Sequence, residues 1–186
     1  MKRLAVFCMI LCMLSGCKNT GQELEQAVSY RQKILSASQC LFDTEVTADY
    51  GDKLFTYCAQ CRTDANGNLI FTITAPDSIE DITGKISDSG GNLTFDETAL
   101  NFPLLSEEAL SPVSAPWIFI KTLRSGYLTS AGKDSDGLRL TLNDSYREDA
   151  LMVDIWINQE DQPIRADILH NGSRILSLTI RNFQIV

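Results

Sequence analysis

Two cysteines in this chain have a spacing that is associated with redox chemistry and with metal binding. Cys58 and Cys61 are separated by two residues, as in thioredoxin-type motifs and in half of a zinc site. A redox pair opens a helix, whereas this pair continues an alternating strand pattern. A zinc site needs a second pair of Cys or His ligands, and His170 is the one histidine of the chain. We therefore expect no metal here and interpret these cysteines as structural.

Cys40 is a third cysteine close enough in sequence to form a disulfide with this pair. The chain is expected to reverse direction near Gly51, and antiparallel pairing then places Cys61 near Cys40. In an oxidising compartment one disulfide and one leftover thiol is the simplest outcome. The sequence thus predicts a disulfide between Cys40 and Cys61.

Other polar residues do not form a catalytic set. A hydrolase of the α/β class needs a Gly-x-Ser-x-Gly elbow with a separate His and acid, and no such elbow occurs. His170 lies beside the Asn171-Gly172 turn, where an exposed turn residue is expected. Glu107 and Glu108 are adjacent in an extended segment, so their side chains point to opposite sides and are interpreted as solvated surface. We expect neither catalytic residues nor a cofactor.

A short acidic segment has some features of a calcium-binding loop. Asp134 and Asp136 have the spacing of its first and third positions, and Gly137 follows them directly. The bidentate glutamate that such a loop requires falls on Ser145 instead. This hint does not change the expectation that the chain binds no metal.

The first 17 residues carry a targeting signal. Lys2 and Arg3 give a basic start, and the apolar run over residues 4–14 is too short for a permanent membrane span. Two small residues then precede Cys17, an ending that resembles a bacterial lipobox. The resemblance implies a signal peptide over residues 1–16, diacylglycerol on the Cys17 sulfur and an acyl chain such as palmitate on the new amino terminus. The alternative is an ordinary secretory signal whose cleavage site happens to contain a cysteine.

Charge limits the partners of the mature chain. Cleavage removes Lys2 and Arg3 from 16 basic residues, which leaves 14 against 24 acidic residues and a formal charge of about −10. Nucleic acid is excluded as a partner because phosphate binding needs clustered Lys and Arg, and here they are scattered. Membrane attachment must come from the lipid on Cys17. We expect a lipid-anchored protein on the extracytoplasmic face of the cell membrane.

Residues 17–22 are interpreted as the lipidated cysteine and a polar spacer, and residues 23–186 as one folded domain. Helical spacing predicts a first helix over residues 23–38. The predicted second helix is capped by Ser114, has Pro116 in its first turn and ends at Gly126. The apolar residues of the first helix are Leu24, Ala27, Val28, Ile34 and Leu35.

Alternation of apolar and polar residues predicts an antiparallel meander after the first helix. Its first strands cover residues 42–50, 55–61 and 69–75, with turns at Gly51-Asp52 and Asn66-Gly67. A hairpin follows over residues 79–95, and residues 98–112 are interpreted as an extended connection. Four more strands are predicted at 138–142, 151–157, 164–169 and 174–180.

The predicted fold is mainly β, of the α+β type. Seven to nine strands, roughly, form a curled antiparallel sheet, an unclosed β-barrel in which the helices act as a plug. A flat sheet of this length would leave its apolar face exposed.

Two local patterns resemble the LolA/LolB-like lipoprotein carrier superfamily. One runs from Val153 through the Pro163 turn to a strand that ends in Asn182-Phe183, and the other is residues 73–76 followed by residues 82–84. The order of elements along the chain also resembles that superfamily: a helix, a meander of strands, an apolar helix and closing hairpins. The resemblance implies an unclosed barrel with a helical lid over an apolar cavity, and non-enzymatic roles. GerS-like germination lipoproteins of spore formers have the same layout and support a cell-wall amidase.

The resemblance also assigns a role to the apolar residues of the second helix and of the strands. They would line a cavity for a lipid or acyl chain, although the same residues can pack on one another as an ordinary core. The leading hypothesis is a lipoprotein that binds a hydrophobic ligand, and the alternative is a scaffold for an envelope enzyme such as a spore cortex amidase. The candidate cavity residues are Phe55, Tyr57, Phe71, Ile73, Phe95, Trp117, Ile118, Ile120 and Leu123.

Overall fold

A computed structural model describes residues 20–64, 66–96, 98–102 and 110–186. The predicted signal peptide 1–16, the lipid attachment site Cys17 and the Glu107-Glu108 pair lie outside the described residues.

Eleven strands form one antiparallel sheet, and two α-helices pack on it. The helices are α1, Thr20–Ser36, and α2, Ala115–Ser125, with short 3₁₀ helices at Asp77–Ile79 and Pro112–Ser114. The strands are β1 Cys40–Asp49, β2 Leu54–Thr63, β3 Leu69–Ala75, β4 Thr83–Ser87, β5 Gly90–Phe95, β6 Thr98–Phe102, β7 Tyr127–Asp134, β8 Gly137–Asn143, β9 Met152–Ile157, β10 Pro163–His170 and β11 Ser173–Ile185.

Two meanders make up the sheet, and they meet in its middle. The spatial order is β6-β5-β4-β3-β2-β1-β11-β10-β9-β8-β7, so the first and last strands of the chain are neighbours. In the described part of the chain β6 and β7 form the two edges and do not pair with each other. The sheet is therefore unclosed, as the sequence predicts, and the chain passes from one edge to the other through α2.

The inner face of the sheet carries the alternating apolar residues. Along β1 the even-numbered residues from Cys40 to Ala48 are buried, as predicted. Phe42 lies opposite Cys61 and Val46 lies opposite Tyr57, so the predicted faces of β1 and β2 coincide. Asn182 has a φ of 52° in β11, and this irregularity returns Phe183 to the inner face against Phe42.

Helix α2 covers the middle of this inner face. It contacts β1, β8, β10 and β11. Pro116 lies in its first turn and Gly126 ends it, as the sequence predicts. Ser114 precedes the helix, but its side chain does not cap it, because the Ser114 hydroxyl donates to the Ser111 carbonyl oxygen at 2.6 Å. The Phe119 ring meets Phe42 edge-on, with ring centroids 5.5 Å apart. The helix thus joins the two meanders into one hydrophobic core.

Helix α1 packs on β7 and β8 through a stripe that shares only Ala27 and Ile34 with the predicted one. Its buried residues are Glu23, Ala27, Tyr30 and Ile34, spaced four, three and four apart. The predicted residues Leu24, Val28 and Leu35 are instead about half exposed, at 47%, 45% and 53%. The helix has two neighbouring stripes with helical spacing, and the sequence does not show which of them meets the sheet.

Other departures concern the limits of α1 and the two edge strands. Helix α1 begins at Thr20, so residues 20–22 of the predicted spacer are helical. Strands β6 and β7 are additional to the predicted nine. All of β6 except Phe102 is exposed, so no buried alternation marks it, and β7 contains Ser130, Gly132 and Lys133, which weaken its strand pattern. No helix of the described residues is both long and apolar enough to cross a membrane.

One side chain of α1 binds the carboxyl end of α2. The Arg31 guanidinium donates to the carbonyl oxygens of Leu123 at 2.9 Å, Arg124 at 3.1 Å and Gly126 at 2.6 Å. These carbonyls lie where a helix leaves its last acceptors without partners and where the helix dipole favours a cation. Arg31 therefore fixes α2 against α1.

We predict that Arg31→Gln lowers the free energy of unfolding by about 2 kcal/mol, because hydrogen bonds to a charged group contribute about 1.5–3 kcal/mol. Lys33→Gln is the matched control on the same helix. Lys33 forms an exposed ion pair with Asp161, which contributes at most about 1 kcal/mol. Urea unfolding measures both variants, and equal losses would contradict a special role for Arg31.

Candidate functional site

The interior that the sequence assigns to a ligand is packed with side chains. Seven of the nine candidate cavity residues are buried in one apolar cluster with 0–6% of their surface exposed: Tyr57, Phe71, Ile73, Trp117, Ile118, Ile120 and Leu123. A side chain that lines an empty cavity as wide as a water molecule keeps accessible surface along it. These seven residues therefore pack against other described residues of the core, and their role in binding an acyl chain stays a prediction.

Phe55 and Phe95, the other two candidates, lie apart from this cluster. Both are 50% exposed. Phe55 lies opposite Ala48 near the end of the β1–β2 hairpin, beside Tyr50. It borders a surface groove of about 810 Å³ that also contains Ile175. The structure thus does not bring these two rings into the predicted cavity.

Polar groups of the interior hold the segment that leads into α2. The Tyr57 hydroxyl donates to the Pro112 carbonyl oxygen at 3.0 Å, and the Tyr50 hydroxyl donates to the Leu110 carbonyl oxygen. Burial raises the pKa of Tyr57 well above its ordinary value. Both tyrosines therefore act as neutral donors that position the start of α2.

The outer face of the sheet carries a second buried cluster, which the sequence did not reveal. On β9 the apolar residues Val153, Ile155 and Ile157 face the core, so Asp154 and Trp156 face outward. Asp154 is nevertheless only 3% exposed and Trp156 only 5% exposed. Strand β9 is thus covered on both faces.

Two arginines cover the Trp156 ring. Arg139 on β8 and Arg165 on β10 lie directly opposite Trp156 on either side. Their guanidinium carbons lie 5.2 Å and 4.2 Å from the ring centroid, within cation–π distance. The indole nitrogen donates to Asp134 at 2.7 Å. The aspartate considered as a calcium ligand is therefore a partner of this tryptophan.

Two buried carboxylates hold the arginines in place. Asp154 accepts hydrogen bonds from Arg139 at 2.5 Å and from Thr141 at 2.6 Å. Asp167 accepts one from Arg165 at 2.5 Å, and Arg174 approaches it to 3.6 Å. The two aspartates lie opposite each other on neighbouring strands. Their mutual repulsion is offset by the three guanidinium groups around them.

We call Asp134, Arg139, Asp154, Trp156, Arg165, Asp167 and Arg174 the outer cluster. The hydrogen bond to Asp154 raises the pKa of Arg139, and that to Asp167 raises the pKa of Arg165. The pKa of Asp134 is lowered first by the backbone N–H of Asp136 and then by the Trp156 indole. These three groups therefore keep their charges at neutral pH.

The outer cluster presents guanidinium groups that can bind an anionic partner group. The side chains of Arg139, Arg165 and Arg174 are 44%, 42% and 57% exposed, so each guanidinium has an edge toward solvent. An Arg fork held in one orientation binds carboxylates or phosphates with little loss of side-chain freedom. His170, at the Asn171-Gly172 turn, is exposed as predicted.

The residue pattern of β9 contains a signal for the outer cluster that the sequence analysis did not use. The apolar residues at 153, 155 and 157 fix the core side of β9, and this places Trp156 on the other side. A tryptophan at an outward position of a central strand implies that something covers it. The family pattern over residues 153–157 includes this tryptophan but gives no reason for its position.

The three cysteines of the described residues are free thiols. Cys40 and Cys61 are buried on the inner face, and Cys58 is partly exposed on the outer face. Thr63, and not Cys61, lies opposite Cys40, and its hydroxyl accepts a hydrogen bond from the Cys40 amide at 2.8 Å. Diagonal neighbours lie about 7–8 Å apart, whereas a disulfide joins α-carbons about 4.4–6.8 Å apart. The Cys40–Cys61 disulfide stays a prediction.

No protein-family model matches the sequence, and no curated protein is detectably similar to it. Solved structures show distant likeness. A LolA superfamily protein from Nitrosomonas europaea is 12% identical with a TM-score of 0.44, covering 86% of this chain and 93% of that one. A putative outer membrane lipoprotein-sorting protein domain from Vibrio parahaemolyticus is 7% identical with a TM-score of 0.47, covering 90% and 93%.

An uncharacterised conserved protein from Thermus thermophilus is 13% identical with a TM-score of 0.47, covering 88% of this chain and 87% of that one. Likenesses of this size assign neither a family nor a function. The unclosed antiparallel sheet with two helices follows instead from the strand order and register of this chain.

We predict that Asp154→Ala lowers the free energy of unfolding by about 2–3 kcal/mol, because it removes a buried acceptor of two hydrogen bonds, one of them from a charged donor. Asp149→Ala is the control, since Asp149 pairs with Arg147 in an exposed salt bridge that adds little to stability. Chemical denaturation compares the two. A loss for Asp154→Ala no larger than that of the control would show that the outer cluster adds no stability.

Thiol labelling tests the state of the cysteines. Burial raises the pKa of Cys40 and of Cys61, and both lie in the core, so neither is expected to react while the protein is folded. Iodoacetamide under mildly alkaline conditions should label Cys58 first, with the other two labelled only after denaturation. Peptide mapping that finds Cys40 and Cys61 linked would instead establish the disulfide predicted from the sequence.

Proposed function

We propose that this chain is an extracytoplasmic lipoprotein, anchored through Cys17, that acts without catalysis as a scaffold for another cell-envelope protein. The observation that supports this best is the contrast between the two faces of the sheet. The inner face is filled by α2, whereas the outer face presents arginines already fixed in orientation. A binding surface on the outside therefore needs no rearrangement of the fold.

The outer cluster has the composition of a protein-binding hot spot. Arg and Trp are the residue types most enriched at such spots, and binding is favoured when the side chains are fixed before contact. The guanidinium groups of Arg139 and Arg165 lie over the Trp156 ring. They donate hydrogen bonds to Asp154 and Asp167. The exposed edges suit carboxylates of an acidic segment on the partner. The resemblance to GerS-like lipoproteins implies a cell-wall amidase as one such partner.

A second candidate function is binding of a hydrophobic ligand in place of α2. Five large apolar residues of α2, from Trp117 to Leu123, are buried, and exposing them would cost about 8–15 kcal/mol at about 1.5–3 kcal/mol each. An acyl chain of about 16 carbons regains about 12 kcal/mol at about 0.8 kcal/mol per CH₂. The free energy lost by exposing the α2 residues and that gained by burying the acyl chain are therefore nearly equal. Displacing α2 also breaks the Arg31 contacts. The packed state is thus favoured when no ligand is present.

The two functions predict different results for the mature chain with Cys17→Ser. A scaffold should yield no stoichiometric lipid on organic extraction and mass spectrometry, and palmitate should leave its tryptophan emission unchanged. In the source bacterium a photo-crosslinker at Arg174 of the full chain, with its signal peptide and Cys17 intact, should capture one discrete envelope protein, and Arg165→Gln should abolish the adduct. The control is the same crosslinker at Tyr146, which is 83% exposed in the loop before β9.

Bound lipid in the extract, or a saturable change in emission with palmitate, would support the hydrophobic ligand and contradict the scaffold. Equal adducts from positions 174 and 146 would contradict binding at the outer cluster.

A further inference from the structure

Helix α1 exposes a stripe of apolar side chains. Leu24, Val28 and Leu35 are 47%, 45% and 53% exposed and lie on one side of the helix, four and seven residues apart. We call these three residues the α1 stripe. Single exposed apolar residues are ordinary on a protein surface, but three in line on one helix form a contact surface.

The orientation of the α1 stripe is fixed by the rest of the fold. Ala27 and Ile34 are fully buried on the neighbouring side of the helix, so α1 cannot rotate about its axis without losing core contacts. Arg31 falls between Val28 and Leu35 on the same side but is bound to the end of α2. The stripe is therefore a rigid apolar edge and not a set of mobile side chains.

The position of α1 in the sequence places the stripe close to the proposed anchor. The helix begins at Thr20, three residues after Cys17. Three residues span at most about 11 Å even when fully extended. Residues 20–22 of the predicted spacer are helical, so the start of α1 must stay near the headgroups if Cys17 is acylated.

We propose that the α1 stripe lies against the bilayer surface and sets the orientation of the domain on the membrane. This inference rests on the proposed lipid anchor at Cys17. The occupant of the stripe is the lipid interface, because a surface held beside the anchor meets lipid before any protein. The contact is apolar and not ionic, since Leu24, Val28 and Leu35 carry no charge and the chain as a whole is strongly acidic.

Tryptophan quenching in vesicles tests this placement. The full lipidated protein is reconstituted into phosphatidylcholine vesicles with and without brominated acyl chains, which quench tryptophans inserted in the interface. Val28→Trp places a probe in the stripe. Gln22→Trp is the matched control, because Gln22 is exposed and nearer to Cys17 but lies roughly 120–160° around the helix from the stripe. The native Trp117 and Trp156 are 6% and 5% exposed and give a constant background.

The expected result is at least roughly twofold stronger quenching of the added emission for Val28→Trp than for Gln22→Trp, because the deeper position meets more bromine. Mass spectrometry of the N-terminal peptide, done in parallel, reports whether Cys17 carries lipid. Equal quenching, or none, in a lipidated protein would overturn the stripe and leave the anchor in place. A chain without lipid on Cys17 would overturn the anchor and the stripe together.

Discussion

The whole structure depends on covering the inner face of an open sheet. Eleven antiparallel strands that do not close on themselves present one large apolar surface, and α2 is the element that shields its middle. Because the chain passes from edge strand β6 to edge strand β7 through this helix, both meanders are folded around it. The Arg31 contacts then bind the carboxyl end of α2 to α1. Helix α2, helix α1 and the two halves of the sheet therefore depend on one another.

The same constraint explains why the outer face is organised as it is. Strands β8 to β10 lie centrally in the second meander, and their inner residues are committed to the core. Without further cover, their outer residues would leave a tryptophan in water. Arginines stacked on the ring and bonded to buried aspartates form a thin covering layer instead. Such a layer uses the apolar stems of Arg to shield the ring while its charged ends stay hydrated.

Sequence reasoning succeeded where a residue pattern has one structural meaning. Strict alternation predicted β1 to β3, and an early proline with a terminal glycine predicted α2, because these signals are local. It failed where the outcome depends on tertiary contacts. The choice between two stripes of α1 depends on the position of β7, a strand that itself carries no clear pattern. The covering of Trp156 depends on arginines from two other strands, whose register the sequence alone does not give.

The filled interior changes how the resemblance to carriers bears on this chain. In a carrier the space under the helix belongs to the ligand, whereas here Trp117 and its neighbours occupy it. A protein that has used its inner face for stability must bind through its surface, or else release α2 at a cost that only an equally apolar ligand can repay. The second route would also break the Arg31 contacts at the end of α2, so the inner face stays closed while those contacts hold. Binding at the outer cluster needs no such rearrangement, because its arginines already lie at the surface.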